Sequence, residues 1–163
     1  MNESDLTTLF RKLGAEDAES WAHSQAMEGL PQLARYLFLR QAWRQVVPED
    51  DPGWMGRAID NSKKRPLDPY AGTGHALARL LELGAAEEDI VDLVRGMQAE
   101  LLFKLCYLLE DPGDVEPEVE EVRWCLVQTD GEGKVLDSIN DLHESVLETD
   151  PTGREMRPRQ SAG

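Results

Sequence analysis

The sequence lacks the features that mark secreted and membrane proteins. It has two cysteines in 163 residues, and both lie in apolar runs, so we expect buried, reduced thiols rather than a disulfide framework. No apolar stretch approaches the ~18 residues of a membrane span. The opening residues, Met1–Asp5, are acidic where a signal peptide needs positive charge. These absences predict a soluble, cytoplasmic protein with no membrane partner.

Basic residues are scarce in the second half of the chain. The formal net charge is −15, and residues 66–153 carry 21 acidic and five basic residues, a balance of −16. The densest part, Glu110 to Glu121, has seven carboxylates and no basic residue. A field of this sign repels phosphates and attracts cations, and the short basic run Lys63–Arg65 does not offset it. We expect no nucleic-acid partner and a cationic protein partner.

Apolar periodicity predicts a mainly α (α+β) fold of five or six helices around one long helix. Apolar residues recur every three or four positions from Ala86 to Glu110, so we expect this helix to be the central, most buried element. Its predicted core residues are Leu93, Met97, Leu101 and Leu105. Shorter helices are predicted near residues 4–13, 16–28, 33–47, 54–64, 75–83 and 141–147. Ser4 and Thr73 are the predicted N-caps of the first and fifth helices.

A β-hairpin is predicted at about residues 121–139, where two β-branched and aromatic runs flank the turn Asp130–Gly133. An isolated hairpin is only marginally stable in water, so it must pack on helices or pair with a partner's edge. We expect it to pack on the helical bundle. The length of the chain favours one domain over residues 1–153, followed by a flexible basic tail, residues 154–163.

No motif predicts a catalytic residue, a metal site or a cofactor. His143 adjoins Glu144, but the zinc-protease pattern needs a second histidine where Leu147 stands. The glycine-containing helix entry at Gly72–His75 lacks the preceding strand and the lysine of a phosphate loop. The turn at Asp130 lacks the glycine that a calcium loop has at its sixth position. We interpret each of these features as structural.

Two functions of different classes remain open, with a third as the fallback. The first is a small, non-enzymatic module that binds a cationic protein; an antitoxin-like inhibitor or immunity protein fits this description by charge and size alone. Its predicted binding residues are Glu116, Glu118, Glu120, Glu121 and Trp54. Trp54 has a second interpretation, as a plug at the edge of the core.

The second function is that of an enzyme or small-ligand-binding protein with a pocket near His75, His143 and Glu144, where hairpin and helices meet. The third is a structural subunit whose acidity only maintains solubility. A closed pocket lined by two histidines would favour the second function. An acidic face with exposed aromatic residues would favour the first.

Overall fold

The computed structural model describes residues 1–111, 113 and 115–159. Within these residues, six helices and one two-stranded antiparallel sheet form a helix-dominated α+β fold, which confirms the predicted class. The helices are α1 (Glu3–Leu13), α2 (Ala18–Glu28), α3 (Gln32–Trp43), α4 (Gly53–Lys64), α5 (Ala71–Glu82) and α6 (Glu87–Leu108). The strands are β1 (Val127–Thr129) and β2 (Val135–Ser138). No helix in the described residues is long and apolar enough to cross a bilayer.

The chain divides into two compact units. Unit 1 contains residues 1–43 and the chain from residue 101 onward, and unit 2 contains residues 44–100. Unit 1 therefore holds α1 to α3, the last two turns of α6 and the hairpin, whereas α4, α5 and the first part of α6 belong to unit 2. A single domain over residues 1–153 stays a prediction.

Three aromatic rings from three helices form one core of unit 1. The Phe10 ring is fully buried and lies 6.0 Å from the ring of Trp21 and 5.6 Å from that of Tyr36, centroid to centroid. Phe10 and Tyr36 meet edge to face, the arrangement that the aromatic quadrupole favours. Because α1, α2 and α3 each contribute one ring, burial of this cluster holds the three helices together.

The ends of α1 follow from local chemistry. The side chain of Asn2 accepts a hydrogen bond from the Asp5 amide at 2.9 Å, so Asn2 is the N-cap and the prediction of Ser4 is wrong. The Asn2 amide oxygen reaches the free N–H groups of the first turn, which Ser4, already inside the helix, does not. At the other end Gly14 adopts φ 91°, a left-handed conformation that glycine reaches without steric cost.

The segment after the hairpin packs into unit 1 through Ile139, Leu142 and Val146, none of which is more than 6% exposed. The indole nitrogen of Trp43 donates to the Val146 carbonyl at 3.0 Å. The helix predicted over residues 141–147 is a single 3-10 turn, His143–Ser145. Asp141 has φ 55°, which α-helical geometry does not allow, so this residue is excluded from any helix that follows it.

The hairpin is shorter than its predicted span of 121–139. Its strands pair with Val127 opposite Ser138, and a bulge interrupts the register before Thr129. In the turn, the Asp130 carboxylate accepts the amides of Glu132 and Lys134, each at 2.9 Å. The base is anchored in unit 1, where Ile139 is buried, whereas Val135 and Leu136 near the tip are 59% and 54% exposed.

The predicted tail begins with hydrogen-bonded residues. The buried Asp150 carboxylate accepts the Met156 amide at 3.0 Å and the Thr152 hydroxyl at 2.7 Å. Residues 160–163 of the predicted flexible tail lie outside the described residues. Pro112, which follows the predicted long helix, and Asp114, in the acidic run, also lie outside them.

In unit 2, α4, α5 and the first turn of α6 contribute side chains to a small core. Its buried members are Met55, Leu77, Ile90 and Val91. The buried Arg95 donates to the Val47 carbonyl at 3.0 Å, and the Gln98 side chain accepts the Val47 amide at 2.8 Å. Thr73, the predicted cap, lies inside α5 because the helix begins earlier, at Ala71.

Candidate functional site

Helix α6 exposes the residues that were predicted to form the core. Within unit 2, Leu93 and Met97 are 61% and 64% exposed, and within unit 1, Leu101 and Leu105 are 55% and 49% exposed. The prediction of these four as core residues is therefore wrong. The buried side chains of α6 include Val91, Arg95, Ala99 and Cys106. A smaller, less uniformly apolar face of the helix is thus the packed one.

Three exposed leucines lie in a row on the unit 1 part of α6. We call them the apolar row: Leu101, Leu105 and Leu108. Their spacing of four and three residues places them on one side of the helix. Leu108 is 44% exposed, so all three present about half of their surface to solvent. Contiguous apolar surface, when it is rimmed by polar residues, is typical of interaction sites.

The chain after α6 brings more apolar surface beside the row. Trp124 is 43% exposed, and its indole nitrogen donates to the Leu108 carbonyl at 2.6 Å. That carbonyl is one of the last four of the helix, which have no partner within it, so the bond fixes the indole at the end of α6. Val119 and Val122 are exposed next to Trp124 in sequence. The sequence alone does not mark Trp124 as a binding residue, because it falls within the predicted hairpin.

The predicted binding carboxylates lie just before Trp124, in a stretch that we call the acidic segment, residues 116–121. Its backbone is a short 3-10 turn, Pro117–Val119, extended by a hydrogen bond from the Val122 amide to the Val119 carbonyl at 2.9 Å. All four predicted carboxylates, Glu116, Glu118, Glu120 and Glu121, are exposed. Within the described residues none of the four forms an ion pair.

Trp54, the fifth predicted binding residue, lies in unit 2. It is partly buried and packs against the core that contains Met55 and Leu77. The structure thus places it as the second interpretation of the sequence did, at the edge of a core. Its role in binding stays a prediction, and in the unit of the acidic segment the exposed tryptophan is Trp124, whereas Trp21 and Trp43 are buried.

The residues of the alternative pocket are distributed over the two units. In unit 1 the His143 Nδ1 atom lies 3.6 Å from the Glu110 carboxylate, and the Phe103 and Tyr107 rings meet the imidazole edge to face. Glu144 is exposed. In unit 2 the His75 Nε2 atom lies 3.4 Å from the Pro66 carbonyl. A shared pocket stays a prediction, and among the described residues no cluster of three or more potential metal ligands occurs.

Unit 2 has an open groove of about 670 Å³ between the end of α4 and the start of α5. Lys64, Arg65, Asp68, Tyr70 and Thr73 are among its lining residues. The Arg65 guanidinium lies 3.6 Å from the Asp68 carboxylate, so the acid offsets much of the positive charge that an anion would need.

The two cysteines differ in environment. Both are free, as predicted, but only Cys106 is buried, and the expectation of burial is wrong for Cys125 because the chain before β1 runs along the surface. Burial, with a smaller contribution from Glu110, raises the pKa of the Cys106 thiol to about 11. The thiolate is the reactive form, so Cys106 is protected by both burial and protonation.

We expect one fast-reacting thiol in the native protein. At pH 8 a maleimide or disulfide reagent should label Cys125 rapidly and Cys106 only after unfolding, as measured by mass spectrometry. Cys125→Ser should abolish the fast phase, and Cys106→Ser should leave it unchanged. Rapid labelling of both thiols in the folded protein would contradict the assigned burial of Cys106.

No protein-family model, curated protein or solved structure matches this chain.

Proposed function

We propose that this protein is a non-enzymatic module that binds a cationic protein on unit 1, in the manner of an antitoxin-like or immunity-like inhibitor. The observation that carries the proposal is an exposed tryptophan bonded to the end of α6, where the apolar row ends, and preceded in the chain by four exposed carboxylates that form no ion pair within the described residues. A protein interface combines an apolar, aromatic centre with a polar rim. Trp124 and the apolar row supply the first, and the acidic segment supplies the second.

Charge pairing distinguishes the acidic segment from other carboxylates of unit 1. Glu110 accepts the Leu142 amide at 2.6 Å and faces His143, and Asp141 pairs with the buried Arg35 at 3.2 Å. Those two acids have roles inside the fold. Within the part of the chain that the structure describes, the four glutamates of the acidic segment form no ion pair, so their field extends into solvent over roughly the 8 Å Debye length at physiological salt.

The proposal predicts that the acidic segment controls the rate of association. A partner is first captured from the native host at low salt and identified. Replacing the four glutamates with glutamine should then slow its association several-fold at low salt and change dissociation little, because rim charges steer encounter whereas buried anchors govern lifetime. Surface plasmon resonance at several salt concentrations measures both rates.

The matched control replaces four exposed glutamates elsewhere by glutamine and changes the net charge equally. These are Glu28, Glu82, Glu88 and Glu132. The control should slow association less than the variant of the acidic segment. If the association rate changes neither with the four substitutions nor with the ionic strength, the proposal is wrong, and the acidic residues serve only to keep the protein in solution.

A further inference from the structure

We infer that the cationic partner contributes a basic amphipathic helix that lies along the apolar row, an inference that rests on the proposed function. The three leucines of the row cover two turns of α6 and are each 44–55% exposed. Side chains three and four positions apart form ridges on a helix, and a second helix packs by placing its own ridges into the grooves between them. A helix with apolar residues at the same spacing therefore matches this surface.

Three features at one end of the row favour positive charge on that helix. The first is the acidic segment, which Trp124 ties to the end of α6 through its bond to Leu108. The second is the helix terminus itself, because the last turn of α6 contains no basic residue to offset the negative end of the helix dipole. The third is the half-exposed indole of Trp124, whose face attracts lysine and arginine side chains.

A second copy of this chain is a poorer occupant of the same surface. Each copy carries a net charge of −15. A symmetric contact through the row would use the same surface on both copies, and the two chains of like net charge would repel each other. A basic helix has the opposite charge and meets no such cost.

The test uses two synthetic peptides of about 18 residues, or five helical turns, with identical leucine and lysine content. In one, leucines recur at i, i+4 and i+7 and form an apolar stripe. In the other the same residues are permuted so that no stripe forms. Binding to the full chain is measured by calorimetry, and peptide helicity by circular dichroism. We expect the striped peptide to bind at least about tenfold more tightly than the permuted one and to become helical.

Two double variants locate the contact. Leu101→Ala with Leu105→Ala should weaken binding of the striped peptide at least about tenfold and leave the permuted peptide unaffected. The matched control is Leu67→Ala with Leu83→Ala, which removes two leucines of unit 2 that are 97% and 84% exposed. This control should bind both peptides as the parent does. Unfolding curves of both variants verify that the fold is kept.

The outcomes separate this inference from the proposed function. Equal binding of both peptides, with no effect of Leu101→Ala and Leu105→Ala, would overturn helix docking and leave capture by charge intact. Binding of neither peptide would also overturn it, and the captured partner would still decide the proposed function. A dimer of the parent that the same double variant dissociates would assign the row to self-association and overturn the inference.

Discussion

Phe10→Ala should lower the free energy of unfolding by about 3–5 kcal/mol, the range measured for large aromatic residues in protein cores. The Phe10 side chain is fully buried and touches Trp21 and Tyr36 from neighbouring helices. Its removal leaves a cavity between three helices and ends two aromatic contacts. Domains of this size are stable by only about 5–15 kcal/mol, so urea or thermal unfolding followed by circular dichroism should detect a large shift.

Leu101→Ala is the natural comparison. Periodicity alone predicts that Leu101 is a core residue whose loss costs about 2–5 kcal/mol. Because the side chain is 55% exposed, we expect instead about 1 kcal/mol or less. Equal destabilisation by Phe10→Ala and Leu101→Ala would contradict the assignment of the apolar row to the surface.

The helices themselves could be predicted from the sequence because their ends are encoded locally. Gly14 and Gly29 directly follow the helices predicted over residues 4–13 and 16–28, and they end α1 and α2 in left-handed conformations. The side on which α6 packs could not be predicted, since apolar residues occupy several sides of its last three turns. In the folded chain the buried side includes Ala99 within unit 2 and Cys106 within unit 1, and neither is among the larger apolar residues on which the periodicity depends.

The candidate site was partly visible in the sequence. The acidic segment follows from composition, because a run of carboxylates without basic residues has few ways to be neutralised. The choice between tryptophans depends on long-range contacts. Trp54 packs on a core that Leu77 and Ile90 complete from other helices, whereas Trp124 bonds to a carbonyl sixteen residues earlier. Neither environment is encoded by the residues adjacent in sequence.

Gly74→Ala should destabilise the protein although alanine is the better helix former. Gly74 lies in α5 where α4 comes closest, and a Cβ there would lie 2.7 Å from the Cβ of Ser62 and closer still to the backbone carbonyl of Ala58. A backbone carbonyl inside a helix cannot move without moving α4. We expect a loss of about 1–3 kcal/mol, typical of overpacked sites, which exceeds the gain of up to about 1 kcal/mol in helix propensity.

Gly72→Ala supplies the matched control, because it makes the same chemical change two residues earlier in α5. A Cβ at Gly72 meets no atom within 4 Å, so the substitution causes no steric clash. Alanine loses less backbone conformational entropy than glycine on folding and should therefore stabilise the helix by up to about 1 kcal/mol. Urea unfolding should therefore separate the two variants by about 2 kcal/mol or more, with opposite signs relative to the parent. If Gly74→Ala is as stable as Gly72→Ala, α4 and α5 do not approach at Gly74 as described, and the packing of unit 2 must differ there.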